Sequence, residues 1–197
     1  MALAQEGPDF SRPVLASPKP PIRWVAEYTY PSPVSGSRRP VRITVDHTKS
    51  ATRVVKTLAN SKTEEQWFAE GLEFRRIPDG SEPVVVPPEN PPDPQTADYV
   101  RVFFSKLGWL GEHSYRGKEK KFGQEVFVFE APYGTASTQC AYISAATLLP
   151  LALEFPSFTI RYAFSPAEPV ELPVDFKAAF ETYRRQVRAA MMPAESR

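Results

Sequence analysis

Apolar and polar residues alternate most cleanly between Tyr115 and Phe164. Phe158, Ile160, Tyr162 and Phe164 fall on one side of an alternation whose other side holds Thr159, Arg161 and Ala163. Successive side chains of a strand point to opposite faces, so this spacing predicts a strand with one bulky apolar face. Phe127 and Phe129 repeat the pattern, as do Leu149, Leu151, Leu153 and Phe155. Gly123, Gly134 and Pro156 stand between the runs. Glycine reaches positive φ without steric cost, and proline cannot donate to a ladder. The stretch therefore predicts a meander of antiparallel strands over 118–121, 125–130, 138–144, 149–155 and 157–164.

The same alternation, weaker, runs through the first half. It predicts a strand over 22–30, with Trp24, Ala26, Tyr28 and Tyr30 on one face, and another over 41–48. The β-branched content of 51–58 predicts a third. Residues 66–77 read as a fourth strand in preference to a short helix over 64–74, because Gly71 would sit mid-helix. The proline-rich segment 78–94 predicts a long loop, with Val84-Val85-Val86 embedded in it. Helical spacing appears in two places. Val100, Phe103, Phe104 and Leu107 predict a helix over 96–107. Phe176, Ala179, Phe180, Tyr183 and Val187 predict a second one starting near Asp175. The fold class expected is mainly β (α+β): a curved antiparallel sheet or half-open β-barrel covered by two amphipathic helices. Residues 1–21, rich in proline, form an N-terminal arm; 22–190 form one β-rich domain; 191–197 are a tail.

Composition narrows the function without naming it. Hydrophobic residues make up 42% of the 197, which permits a sizeable core. The net charge of +1 gives no field to recruit nucleic acid. The basic clusters lack the interleaved aromatics that stack bases, so no nucleic-acid partner is expected. No apolar run approaches the roughly 18 residues of a membrane span. Ala2-Leu3-Ala4-Gln5 has the small-x-small form of a signal-peptidase site and predicts a periplasmic or otherwise exported protein.

Catalytic signatures are missing. Cys140 is the single cysteine, and His47 and His113 are the two histidines. None belongs to a metal-ligand or nucleophile motif, so no metal, no cofactor and no enzymatic activity are expected. What remains is a surplus of large apolar side chains on strand faces. Trp24, Tyr28, Phe127, Phe129, Tyr142, Leu151, Leu153, Phe158, Ile160, Tyr162 and Phe164 are expected to line one surface. Either the helices fill that surface as an ordinary core, or a cavity is left for an acyl chain or another apolar ligand.

The strand phrases carry a resemblance. Tyr115-Arg116-Gly117-Lys118-Glu119 followed by Gly123-Gln124-Glu125-Val126-Phe127-Val128-Phe129 resembles a strand pair of bacterial outer-membrane lipoprotein-sorting and carrier (LolA-like) proteins. Ile143-Ser144-Ala145-Ala146-Thr147-Leu148-Leu149-Pro150-Leu151 is similar to the family's next phrase, and Leu172-Pro173 fits after a further strand. The resemblance implies a half-open antiparallel barrel with helices as a lid. It also implies lipid chains bound in the hydrophobic cavity between them. The expectation for this chain is a non-enzymatic envelope protein that binds a lipid or lipidated partner in such a cavity, with a loop such as 78–94 gating access. On the same fold, a protein-interaction or structural module is the alternative.

Overall fold

Strands form wherever β-branched and aromatic residues alternate with polar ones, and turns form between them. The computed structural model describes residues 7–11, 14–33, 37–70, 72–76, 82–86 and 104–191. In chain order the strands are β1 (Ile22–Thr29), β2 (Pro40–His47), β3 (Thr52–Leu58), β4 (Thr63–Ala69), β5 (Leu72–Arg76), β6 (Val84–Val86), β7 (Tyr115–Lys121), β8 (Gln124–Tyr133), β9 (Ser137–Ser144), β10 (Pro150–Phe155) and β11 (Phe158–Pro166); the helix α1 (Val174–Met191) follows. The strands make one open sheet of eleven, in the order β6-β5-β4-β3-β2-β1-β11-β10-β9-β8-β7. Every neighbouring pair is antiparallel. Each half of the chain is thus a meander, and the pairing of β1 with β11 joins the two.

The expected open antiparallel sheet is present, with differences of detail. Residues 66–77 do not make one strand. Their described part belongs to β4 and β5, which fold back on each other with Trp67 opposite Phe74 and Ala69 opposite Leu72. Glu70 turns the chain at φ 51°, in the left-handed region that a tight hairpin needs. Val84–Val86, read as part of a loop, adds to β5 as the edge strand β6. The rest of the 78–94 loop lies outside the described residues apart from 82–83. So does most of the expected helix over 96–107; its end is a single 3₁₀ turn, Ser105–Leu107. At the β7–β8 hairpin, Phe122 (φ 54°) and Gly123 (φ 78°) supply the paired positive φ values of a mirror-image turn.

The two faces of the sheet carry different covers. One, the inner face, holds Trp24, Ala26, Val45, Val54, Phe127, Phe129, Ile143, Leu153 and Ile160 in a continuous core. The other, the outer face, buries Trp67 and Phe74 under Phe176 and Phe180 of α1. The helix stripe was expected to cover the large aromatic face. It packs instead on the opposite side, over β4 to β6. Register explains why. Val54 on the inner face pairs with Gln66, which leaves Trp67 on the outer face with its partner Phe74. Ion pairs clamp the helix there. Arg76 pairs with Asp175 at its start, and Arg184 reaches Glu70 at 2.6 Å further along.

Phe176 is fully buried and contacts both Trp67 and Phe74, with ring centroids 6.2 and 6.0 Å apart. Phe176→Ala leaves a cavity at the only apolar seam between α1 and the sheet among the described residues. The expected loss is about 3–5 kcal/mol of unfolding free energy, measured by urea denaturation. A loss below about 1 kcal/mol would show that the helix docks through its ion pairs rather than its rings.

Candidate ligand-binding face

The inner face is built by register. Trp24 lies between Val45 on β2 and Phe164 on β11, and Ala26 lies between Ile43 and Tyr162. Tyr28 pairs with Ile160, which pairs in turn with Leu153. Across β9 and β8 the same face continues through Ala141 and Ile143 to Phe129 and Phe127. Trp24, Tyr28, Phe127, Phe129, Leu153, Phe158, Ile160, Tyr162 and Phe164 therefore share one apolar cluster.

Tyr142 and Leu151 do not join them. Tyr142 pairs with Val128 and Ala152, which puts it on the outer face, and Leu151 packs in the same outer cluster. The pairing is irregular between Pro150 and Ala152. A bulge breaks strict alternation, so Leu151 does not share the face of Leu153 despite the two-residue spacing.

Among the described residues, the inner face is covered by chain without long regular structure. Residues 104–114 cross it with two short 3₁₀ turns, Ser105–Leu107 and Glu112–Ser114. Phe104 (2% exposed) sits on Trp24 and Tyr162 at 5.6 and 5.7 Å, and Leu107 is buried beside it. The N-terminal arm covers the far side. Phe10 meets Tyr115 edge-on at 5.6 Å, and Val14 is buried in the same cluster. These covering residues were not among the expected site residues. Phe104 and Leu107 carry the helical spacing that predicts a helix over 96–107, whereas Phe10 and Val14 are single apolar residues in a proline-rich setting with no period.

At one end of the face the rings stay half-exposed and form a row. Tyr133 meets Phe155 at 5.4 Å, and Phe155 stacks on Phe158 at 4.6 Å. Phe158 meets Tyr28 and Tyr30 at 6.0 Å each. Two cations stand over this row. The Lys106 Nζ lies 5.8 Å from the Phe155 centroid and 5.2 Å from that of Phe158. The Arg39 guanidinium lies 5.7 Å from the Tyr30 centroid.

Electrostatics follow burial. Desolvation, with Tyr30 adding to it, pushes the Tyr28 hydroxyl up to about 12. Burial and the neighbouring Tyr28 hold the Tyr162 hydroxyl higher still. On the outer face, Lys121 Nζ stands 3.6 Å over the Tyr142 ring, and the Tyr142 hydroxyl donates to Glu154 Oε2 at 3.1 Å. Cys140 belongs to this outer surface. Burial, then Glu130 and Glu154, push its thiol up, opposite to the shift a nucleophile needs. His47 is buried with Nδ1 at 2.7 Å from Thr52 Oγ1, and burial lowers its pKa; His113 is exposed in a 3₁₀ turn. Among the described residues no group of three or more His, Cys, Asp and Glu is placed to hold a metal ion, and no helix is long and apolar enough to cross a membrane.

Raised tyrosine pKa values give a pH dependence. Below pH 10 both folded and unfolded chains keep the Tyr28 proton, and stability is full. Between about pH 10 and about 12 the unfolded chain loses that proton and the folded one keeps it, so stability falls as pH rises. The melting temperature is expected to drop across that window, and to drop less in Tyr28→Phe. An identical profile in the variant would remove Tyr28 as the cause.

Comparisons with known proteins give only distant likenesses. No protein-family profile and no curated protein matches the chain. Solved structures similar to it include the lipoprotein LppX of Mycobacterium tuberculosis, at 13% identity and a TM-score of 0.42, covering 77% of this chain and 88% of that one. They include a putative outer-membrane lipoprotein-sorting protein domain from Vibrio parahaemolyticus, at 12% identity and 0.34, covering 81% and 90%. A LolA superfamily protein from Nitrosomonas europaea is similar at 11% identity and 0.29, covering 77% and 86%.

Proposed function

We propose that this protein binds an apolar ligand, a lipid or a lipidated partner, on the inner face beneath the 104–114 crossing, as a non-catalytic protein of the cell envelope. One observation carries the reading. Among the described residues, the largest apolar cluster of the sheet is covered by a crossing segment with two 3₁₀ turns and by an arm of little regular structure. Such covers open at lower cost than packed helices, because they lack a cooperative hydrogen-bonded frame. The proposed ligand surface is Trp24, Tyr28, Phe127, Phe129, Leu153, Phe158, Ile160, Tyr162 and Phe164; Tyr142 and Leu151 are outside it.

The face is closed in this structure, with Phe129, Leu153 and Ile160 fully buried. An acyl chain therefore takes the place of Phe104 and Leu107 instead of filling a standing void. Each methylene moved from water is worth about 0.8 kcal/mol toward that exchange.

If the crossing competes with the ligand, weakening it has two opposite effects. Phe104→Ala is expected to cost about 3 kcal/mol of stability while raising fatty-acid affinity several-fold. Denaturation and titration with a fluorescent fatty acid measure the two. Loss of stability with no change, or a fall, in binding would sink the exchange mechanism. Protein purified without detergent is expected to carry lipid at defined stoichiometry by native mass spectrometry; a clean apo mass that takes up no added lipid would sink the lipid reading.

A further inference from the structure

The inner face is buried over most of its extent, yet the row Tyr133, Phe155, Phe158, Tyr28, Tyr30 reaches solvent at one end; Tyr133 is 42% exposed. A ligand lying along the face meets water there, so its polar end belongs there. Two positive charges stand at that end. Lys106 and Arg39 stand over the rings, and among the described residues neither has a carboxylate within ion-pair distance. Their neighbours differ. Arg38, adjacent in sequence, pairs with Glu64 at 3.0 Å, and on the outer face Arg161 and Lys121 both approach Glu154 at 3.9 Å. A cation resting on an exposed ring gains about 0.5–1 kcal/mol, less than a carboxylate in a half-buried site offers.

We propose that Lys106 and Arg39 are the headgroup contacts of the bound ligand, which is an amphiphile with an anionic carboxylate head and a long apolar chain. The chain lies on the rings of Phe155, Phe158 and Tyr28. The head stays hydrated at the rim and pairs with the two cations, Arg39 from the β1–β2 connection and Lys106 from the crossing, whose long stems let the charges follow the rim as the Phe104 and Leu107 side chains leave the face. Neutral and cationic amphiphiles of the same chain length bind less well, since they leave the two cations unanswered or repelled. This inference rests on the lipid-binding reading and adds the polarity and the direction of the ligand.

The test compares oleate, monooleoylglycerol and oleylamine, each titrated below its self-association concentration, against the whole protein. Wild type is expected to prefer oleate over monooleoylglycerol by about tenfold, the size of one partly screened charge contact. Lys106→Glu and Arg39→Glu each reverse an exposed charge and leave the core intact. Each is expected to weaken oleate binding by about tenfold or more and to change monooleoylglycerol by less than about twofold. Lys49→Glu, an exposed reversal at the opposite end of β2, is expected to change neither. Equal affinity for oleate and monooleoylglycerol, or reversals without effect on oleate, or a preference for oleylamine, overturns the headgroup assignment and leaves lipid binding standing. Failure of all three amphiphiles to bind overturns lipid binding itself.

Discussion

The pairing of β1 with β11 is the contact on which the rest of the molecule depends. Eight residues of β1 meet β11, from Ile22 opposite Pro166 to Thr29 opposite Thr159. That ladder turns two meanders into one sheet. It also sends the ends of the chain's middle to opposite edges, because β6 and β7, consecutive strands, become the two edges. The connection between them leads from one edge of the sheet to the other. The described part of the connection takes the inner face, where Phe104 and Leu107 find Trp24, Tyr162 and Phe164. The lid is a consequence of topology.

Apolar character changes sides along the sheet. From β8 through β11 and β1 to β3 the bulky residues face inward, while at β4 and β5 the largest, Trp67 and Phe74, face outward. On the inner side of that hairpin Gln66 pairs with Arg75, and among its described residues Phe68 alone packs against the inner cluster. A one-residue change of phase moves every side chain of a strand to the other face. That is why one sheet can hold a helix on its outer side at one edge and a chain crossing on its inner side elsewhere. On the remaining outer surface, Lys121, Tyr142, Glu154 and Arg161 form a polar lattice that keeps that side facing water.

Much of this could be read from the residues. Strict alternation at Phe158–Phe164 and Trp24–Tyr28 marked strands and the face they share, because burial on one side imposes the period directly. What local pattern does not contain is the partner. The stripe of Phe176 and Phe180 says that α1 is buried, and says nothing of which face buries it. Residues 66–77 read as one strand because the turn at Glu70 uses a residue with no strong turn preference. Val84–Val86 is too short to show a period. Leu151 was assigned by parity that the bulge before Ala152 cancels, and Tyr142 by apolar character that its ladder places outward. The cations over the aromatic row come from the β1–β2 connection and from the crossing, so their approach to Tyr30 and Phe158 exists only in three dimensions.

A cover attached to its own chain sets a threshold for any ligand. Phe104 and Leu107 are held beside the face at a high effective concentration, and a ligand has to win against them from dilute solution. A small apolar molecule gains too little. A chain of a dozen methylenes gains roughly 10 kcal/mol before association costs, which is enough to displace two side chains and retain net affinity. On the proposed reading, the crossing would discriminate by chain length, and the cations at the row's open end would add discrimination by charge. The described cover of the closed face has little regular hydrogen bonding to lose. The same arrangement keeps a large aromatic surface from aggregating when no ligand is bound, since an uncovered patch of that size would recruit other proteins.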